Sequence, residues 1–314
     1  MINIMDIIKN ISRTIEKIPN AILGSLCLVG IYKSIAFLKG LAQIYYESWQ
    51  SCIDFKKRYG SDSWVLVTGG ANGIGKSWVE SFARRGFNII ILDIDEKAHE
   101  VKEIIEKEYK VKAHVIICDL TDQEAISQLI YQVKGFDISI LVCNAGVHHH
   151  GDVSKQPIES IMKLINVNIV STTLMIKTLL PNLLYRSQKS AIIVMSSRSG
   201  FASFPYSSIY AATKAYLRIL CMSFYQEIKE KIDILCVQPL IVSTPMTRHI
   251  KVGGIICSSE DCVESAITSL GRRLETCGTR AHKLVDWYIS GKNLDEKAEF
   301  SANMIRSQFK LKKP

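Results

Sequence analysis

The chain has 314 residues, 47% hydrophobic and 22% charged with only seven prolines, which argues against a disordered or collagenous chain and suits one large domain plus an appendage. Its 39 basic and 30 acidic residues leave a charge of +9, but the lysines and arginines are scattered and form no zinc-finger, RNA-binding or basic-zipper pattern, which argues against a nucleic-acid partner. Nine cysteines without a C-x-x-C pair read as reduced, buried small hydrophobes and imply a reducing compartment.

Residues 1–59 read as an N-terminal apolar anchor. Ala21 to Tyr32 carries no charge, and Lys33 and Lys39 interrupt an apolar run that reaches Tyr46. A bilayer core needs about 20 apolar residues and lysines near a helix end can snorkel, so a tilted span or a monotopic hairpin is expected. The alternative is a helix packed on the domain or on a second subunit. A cleaved signal peptide fits poorly, because the run starts far from Met1, follows an amphipathic stretch at 11–18 and lacks a small-x-small cleavage site. Lys56, Lys57 and Arg58 follow the run and place the rest of the chain in the cytosol, a bias that Lys9, Arg13 and Lys17 dilute.

Residues 60–290 alternate apolar runs with amphipathic stretches. Strands are expected at 64–68, 88–93, 112–118, 138–143, 191–196 and 232–238, and helices at 74–85, 96–109, 122–133, 158–186 and 209–229. The strands are continuous Val/Ile/Leu runs, as parallel strands buried on both faces require, so the fold class is α/β, a doubly wound parallel sheet of Rossmann type with helices on both faces. From 258 onward the chain reads as helices, and 291–314 as a basic helical tail.

Directly after the first strand stand Thr68, Gly69, Gly70, Ala71, Asn72, Gly73, Ile74 and Gly75, opening a helix. Glycines there let the backbone turn tightly and approach a pyrophosphate, which the free amides of a helix N-terminus stabilise; an ordinary tight turn is the alternative. Asp93, at the end of the second strand, is placed to accept hydrogen bonds from an adenosine ribose and to repel a 2′-phosphate, favouring NAD(H), unless it only caps the following helix in competition with Asp95. Tyr210 and Lys214 are one helical turn apart, so a cation stands beside a phenol and is expected to lower its pKa toward that of a general acid/base. His148, His149 and His150 are consecutive on a loop and cannot readily converge on one ion, so no metal is expected; they read as lining a substrate entrance. Residues 245–258, with Gly253 and Gly254, read as a mobile lid.

Together these motifs resemble those of the short-chain dehydrogenase/reductase family: TGxxxGxG at Thr68–Gly75, Asp119-Leu120 after the third strand, Asn144-Ala145-Gly146 leaving the fourth, then an asparagine, a serine and YxxxK. The resemblance covers roughly residues 60–250. It implies hydride transfer between a nicotinamide dinucleotide and a carbonyl or secondary alcohol, with Tyr210 as acid/base, Lys214 tuning it and holding the nicotinamide ribose, Ser197 orienting the substrate oxygen and Asn168 organising a water relay. It also implies cofactor contacts at Thr68, Gly69, Asn72, Gly73, Ile74, Gly75, Asp93, Asp119, Leu120, Asn144, Ala145, Gly146, Pro239, Val242 and Thr244. Leu240 departs from the family's usual glycine, and Ser196 and Ser199 are rivals that only spacing sets aside.

The N-terminal extension, the helix around Asn168 and the tail most resemble the 17β-hydroxysteroid dehydrogenase type 3 and type 12 branch, which includes hydroxysteroid dehydrogenase-like protein 1. That branch implies a membrane-dissolved lipid substrate, steroid or fatty acyl-CoA, and a homodimer through the long helices. It usually carries an arginine for NADP(H), where this chain has Asp93-Ile94-Asp95. Lys310 and Lys312 near the end resemble a dilysine signal for the endoplasmic reticulum membrane, with the catalytic domain facing the cytosol; a mitochondrial location is the alternative. A catalytically silent dinucleotide-binding scaffold of the same fold is the alternative to an enzyme.

Overall fold

Successive residues of a strand point to opposite faces, so an unbroken apolar run feeds two hydrophobic layers at once. In β1 (Trp64–Thr68) Val65 and Val67 join one buried cluster and Leu66 the other, and in β2 (Asn88–Asp93) Ile89 and Ile91 separate from Ile90 and Leu92 in the same way. This is the arrangement in a computed structural model that describes residues 19–201, 204–291 and 296, 297, 299, 301 and 303. The stretch at 11–18, Lys9, Arg13, Lys17 and the basic tail with Lys310 and Lys312 lie outside the described residues.

The chain divides into two compact units, Met1–Trp49 and Gln50–Pro314. Among the described residues the first has the helix α1 (Asn20–Ser48), in which an 18-residue window within Gly24–Ser48 has mean hydropathy 1.4 and none of it buried, so the helix is long and apolar enough to cross a membrane. Cys27 is exposed there, a departure from the expectation that the cysteines are buried. Cys52 and Cys118 are half-buried and the other six are buried.

The second unit opens on a short helix, α2 (Phe55–Tyr59), capped by Asp54, whose carboxylate accepts from the Lys57 amide at 3.0 Å. Of its basic residues Arg58 is engaged in folding: it grips Asp233 in bidentate fashion at 2.6 and 2.9 Å, and the Tyr59 hydroxyl donates to the same carboxylate at 2.8 Å. After β1 and β2 the chain runs through α3 (Gly73–Arg84, between them), α4 (Ala98–Tyr109), β3 (Ala113–Ile117), α5 (Gln123–Gln132) and β4 (Ile138–Cys143). Then come α6 (Ile158–Ile165), α7 (Ser171–Tyr185), β5 (Ser190–Met195), α8 (Ser208–Ile228) and β6 (Ile232–Val237). The six strands are parallel in the order β3-β2-β1-β4-β5-β6.

The expected helix at 158–186 is interrupted by a wide π-turn at Asn166–Val170, where one inserted residue shifts the face that Asn168 presents. Beyond β6 the chain adds short strands, the last of which, at Glu275–Thr276, departs from the expectation of helices from 258 onward. A parallel ribbon joins β7 (Val242–Ser243) to β8 (Cys257–Ser258), and, after α9 (Ser259–Ile267), β9 (Glu275–Thr276) adds a seventh strand beside β6. Two-residue strands carry no periodicity of their own; neighbours supply their hydrogen bonds. The last described complete helix is α10 (Arg280–Ser290).

Candidate active site

Parallel strands in this strand order leave a crevice at their C-terminal ends, where the order reverses beside β1 and β4. The crevice is a cleft of about 410 Å³, within the size range of small-molecule sites. Of the residues expected to contact a cofactor or substrate, all but Thr68, Gly75 and Asn168 line it.

Those three shape its walls from behind. Thr68 Oγ accepts from the amides of Asn144 and Ala145 at 3.0 Å each, and the Asn144 side chain donates back to the Thr68 and Gly69 carbonyls at 3.0 and 3.1 Å. The exits of β1 and β4 are thereby locked together. Gly75 is forced: a Cβ on it would lie 1.8 Å from the Gly69 carbonyl oxygen. Gly69 and Gly73 have φ of +68° and +53°, the left-handed region that favours glycine. Asn72, at the N-cap of α3, makes no side-chain cap bond with the helix and instead donates to Asp95 at 3.1 Å. The first-turn amides of α3 therefore lack a capping side chain and have no acceptor within the helix, which fits a phosphate-bearing dinucleotide on the evidence of the cradle itself.

Asp93 fulfils a structural task as well as facing the cleft. Its carboxylate accepts the Ala71 amide at 2.8 Å and the Asp95 amide at 3.0 Å, so the glycine loop hangs from it. Asp119 similarly holds the turn after β3, accepting from the Thr121 amide and hydroxyl at 2.8 and 2.9 Å.

On the other half of the cleft, Tyr210 and Lys214 project from α8 toward Ser197, which follows β5. Ser197 hydrogen-bonds the Tyr210 phenol, and Ser199 Oγ donates to Ser197 Oγ at 2.9 Å. Ser196, the other rival, also lines the cleft, but its hydroxyl donates to the Lys214 carbonyl at 2.7 Å. Gly200 lets this turn approach α8, since a Cβ there would lie 2.5 Å from the Ala215 nitrogen.

The expected lowering of the tyrosine pKa is corrected by the geometry. Burial pushes the Tyr210 phenol up to about 12, with the Ser197 hydrogen bond opposing, and burial pushes the Lys214 ammonium down to about 8, with Cys236 opposing. Lys214 Nζ donates to the Met195 carbonyl at 2.7 Å and stands 5.6 Å from the centre of the Tyr210 ring. The cost of a buried phenolate therefore outweighs its attraction to the ammonium.

Asn168 is fully buried, and its amide is spent on protein groups. Oδ1 accepts from the Val147 amide at 2.8 Å, and Nδ2 donates to the Val147 carbonyl and Thr213 Oγ at 3.0 Å each. It ties the β4 exit to α8, and Gly146 keeps the corner open: a Cβ there would come within 3.3 Å of Asn168 Oδ1 and 3.4 Å of Lys214 Nζ.

Sequence reasoning missed the role of the histidines. His148 lies edge to face with Tyr210, ring centres 4.1 Å apart, with His150 3.7 Å behind it. His148 Nε2 and His150 Nδ1 both reach Ser207 Oγ, at 3.3 and 2.7 Å. A hydroxyl has one proton and two lone pairs, so it can donate to at most one of the two imidazoles and the other ring must donate to it. Burial, then mutual proximity and Lys214, bring His148 down to about 3; burial, then His149 and Arg248, bring His150 to about 4. The His148 ring sits against the acid/base candidate, and the three histidines remain half-buried beside it. Their signal in the sequence was adjacency to Asn144-Ala145-Gly146.

Pro239, Val242 and Thr244 line the far wall with Leu240, whose amide stands 3.4 Å from Nδ1 of the buried His282. The expected lid at 245–258 is partly built structure: a capped turn at Pro245–Thr247 followed by strand β8.

Residues 63–253 match the family model described as short chain dehydrogenase. The chain is 32% identical over 237 residues to the very-long-chain 3-oxoacyl-CoA reductase of Macaca fascicularis, covering 74% of this chain and 76% of the relative. It is 33% identical over 241 residues to hydroxysteroid dehydrogenase-like protein 1 of Gallus gallus, covering 74% and 72%. Among solved structures it shares the fold of a 7beta-hydroxysteroid dehydrogenase with TM-score 0.72 at 24% identity, covering 80% of this chain and all of that one. It also resembles the short-chain dehydrogenase of Sphingobium yanoikuyae in complex with NADPH, with TM-score 0.62 at 27% identity, covering 66% and 84%.

Proposed function

The chain belongs to the short-chain dehydrogenase family, and from that premise we propose that this nicotinamide-dependent oxidoreductase uses Tyr210 as its acid/base on a lipid carbonyl or alcohol. The observation that carries the reading is the convergence of Ser197, Tyr210 and Lys214 on one wall of a cleft whose other half is a phosphate cradle. Bound in that cradle, the dinucleotide supplies or takes the hydride. Ser197 orients the substrate oxygen by hydrogen bonding. Tyr210, protonated at neutral pH, hands its proton to that oxygen as negative charge develops in reduction, and takes it back in oxidation. Lys214 steadies the phenolate formed at that moment, and Asn168 holds the β4 exit in register.

Asp93 supports NAD(H) over NADP(H): its carboxylate is held at the adenosine side of the cleft by two backbone amides, where a 2′-phosphate would be repelled. With a mostly oxidised NAD pool, the direction favoured is alcohol oxidation. Lys163 also lines the cleft, with no acidic partner among the described residues. A cation there suits a substrate bearing phosphate, and between the substrate types that the relatives' names suggest, it favours an acyl-CoA over a neutral steroid. The exposed apolar helix α1 supports attachment to a membrane, which we assign to the endoplasmic reticulum with the second unit in the cytosol, and the long helices support a homodimer.

Tyr210→Phe tests the chemistry. It should lower kcat by about 10²-fold or more while leaving NADH binding, read by fluorescence, unchanged. Unchanged turnover in this variant refutes the assignment. Steady-state kinetics with NAD, NADH, NADP and NADPH test the cofactor: a clear NADPH preference refutes the role given to Asp93.

A further inference from the structure

Cys257 and Cys262 occupy the two positions of a hydrophobic staple. Ser258 is the N-cap of α9: its hydroxyl accepts from the Asp261 amide at 3.0 Å and donates to the Asp261 carboxylate at 2.7 Å. The residue before the cap and the fourth residue of the helix then pack together. Here both are thiols, and with Val242 they form a small buried cluster of their own, against which Ile74 packs. Val242 and Ile74 line the dinucleotide cleft.

Burial divides the pair. Cys262 is fully buried, whereas Cys257 retains 9% exposure, in the strand that follows the open Gly253-Gly254 turn. Two residues before Cys257, the Ile255 carbonyl accepts at 2.9 Å from Nε2 of the fully buried His282, whose Nδ1 lies 3.2 Å from the Cys277 carbonyl. The Cys262 thiol and then His282 draw the Cys257 thiol below the usual thiol range against the effect of burial; His282, likewise against burial, is raised by Cys257. A packing cysteine requires none of this, since a staple works with any apolar pair.

We propose that Cys257 is a modification site for hydroperoxides, with Cys262 as its resolving thiol. The Cys257 thiolate attacks one peroxide oxygen, the O–O bond breaks, and Cys257 becomes a sulfenic acid while hydroxide or alkoxide leaves and takes a proton as water or alcohol. The Cys262 sulfur then attacks the sulfenic sulfur, an S–S bond forms, and the sulfenic oxygen leaves as water with the Cys262 proton. Two thiols are oxidised and one peroxide is reduced. The new bond draws the sulfurs to about 2.05 Å, tightening β8 onto α9 and pulling the packing away from Val242 and Ile74. The cleft's affinity for the dinucleotide falls accordingly.

The test uses the reduced full chain, treated with hydrogen peroxide, alkylated and digested with trypsin. Cleavage after Lys251 and Arg272 releases one peptide, 252–272, that contains these two cysteines and no other. It should lose about 2 Da and resist alkylation at both cysteines at exposures that leave the other cysteines alkylated. Cys262→Ser should leave Cys257 as a sulfenic acid that dimedone captures, and Cys257→Ser should protect Cys262. NADH should bind several-fold more weakly after oxidation, recovering with dithiothreitol, with no shift in Cys262→Ser. Full alkylation of 252–272 under conditions that oxidise the exposed Cys27, or equal oxidation of Cys262 in Cys257→Ser, overturns the site. An unchanged NADH affinity in the oxidised protein overturns its link to the cleft.

Discussion

Tyr210 depends on its immediate neighbours for orientation as much as for charge. The His148 ring rests against it and is held by Ser207, an N-cap residue whose hydroxyl serves the two imidazoles and makes no bond to its own helix. Truncation in His148→Ala frees the phenol, and a small misplacement of a reacting group costs rate steeply, so kcat should fall about 10–100-fold with NADH affinity unchanged. Parallel kinetics and binding measurements separate this from general damage. Lys214 makes a second prediction, on stability. Its folded pKa of about 8 lies below the ordinary 10.5, so between these values the unfolded chain binds more protons and the stability of the fold rises with pH. Below pH 8 the buried ammonium costs on the order of 3 kcal/mol relative to pH 10.5. Lys214→Met removes that dependence, so its melting temperature should exceed that of the parent most at pH 7 and least at pH 9.5, a limit chosen to stay below the titration of unfolded tyrosine.

At the scale of elements, the cleft is held open by connections behind it. The short helix α2 is fastened to β6 through Asp233, which accepts from Arg58 and Tyr59 and stands 3.6 Å from Lys189. Those partners hold its carboxyl below the usual range even though burial opposes them, so the contribution is present at neutral pH and lost as the pH falls through the folded pKa. Asp233→Asn should lower stability by about 1.5–3 kcal/mol, reduced by the partial exposure of Arg58, and the difference from the parent should shrink in acid. Denaturant unfolding at pH 7 and pH 4 checks both statements. The π-turn at Asn166–Val170 plays the corresponding part on the active-site side, since it delivers a buried amide to Val147 that a regular helix would direct elsewhere.

At the scale of the whole molecule, the proposed anchor and the cleft belong to different units. The cleft and its hydrophobic layers lie within Gln50–Pro314, whereas α1 exposes Leu26, Leu28, Val29 and Ile31 over a length of about 43 Å at 1.5 Å per residue. Deleting residues 1–49 should move the protein from the membrane pellet to the soluble fraction and retain NADH binding. Flotation on a density gradient measures the first outcome and fluorescence titration the second; a deletion variant that still floats with vesicles refutes the anchor.

The doubly wound sheet and the residues of the cleft were legible in the sequence because their causes are local. Two-faced burial writes unbroken apolar runs such as Ile89–Leu92, and glycines at 69, 73 and 75 mark a turn that no side chain fits. What tertiary structure alone decided depends on neighbours distant in the chain. The two-residue strand β9 exists because β6 offers it hydrogen bonds, and Asn168 serves Val147 because a π-turn aims it there. Tyr210 keeps its proton because its burial outweighs a lysine four residues away, a balance of desolvation against charge that spacing along a helix does not contain.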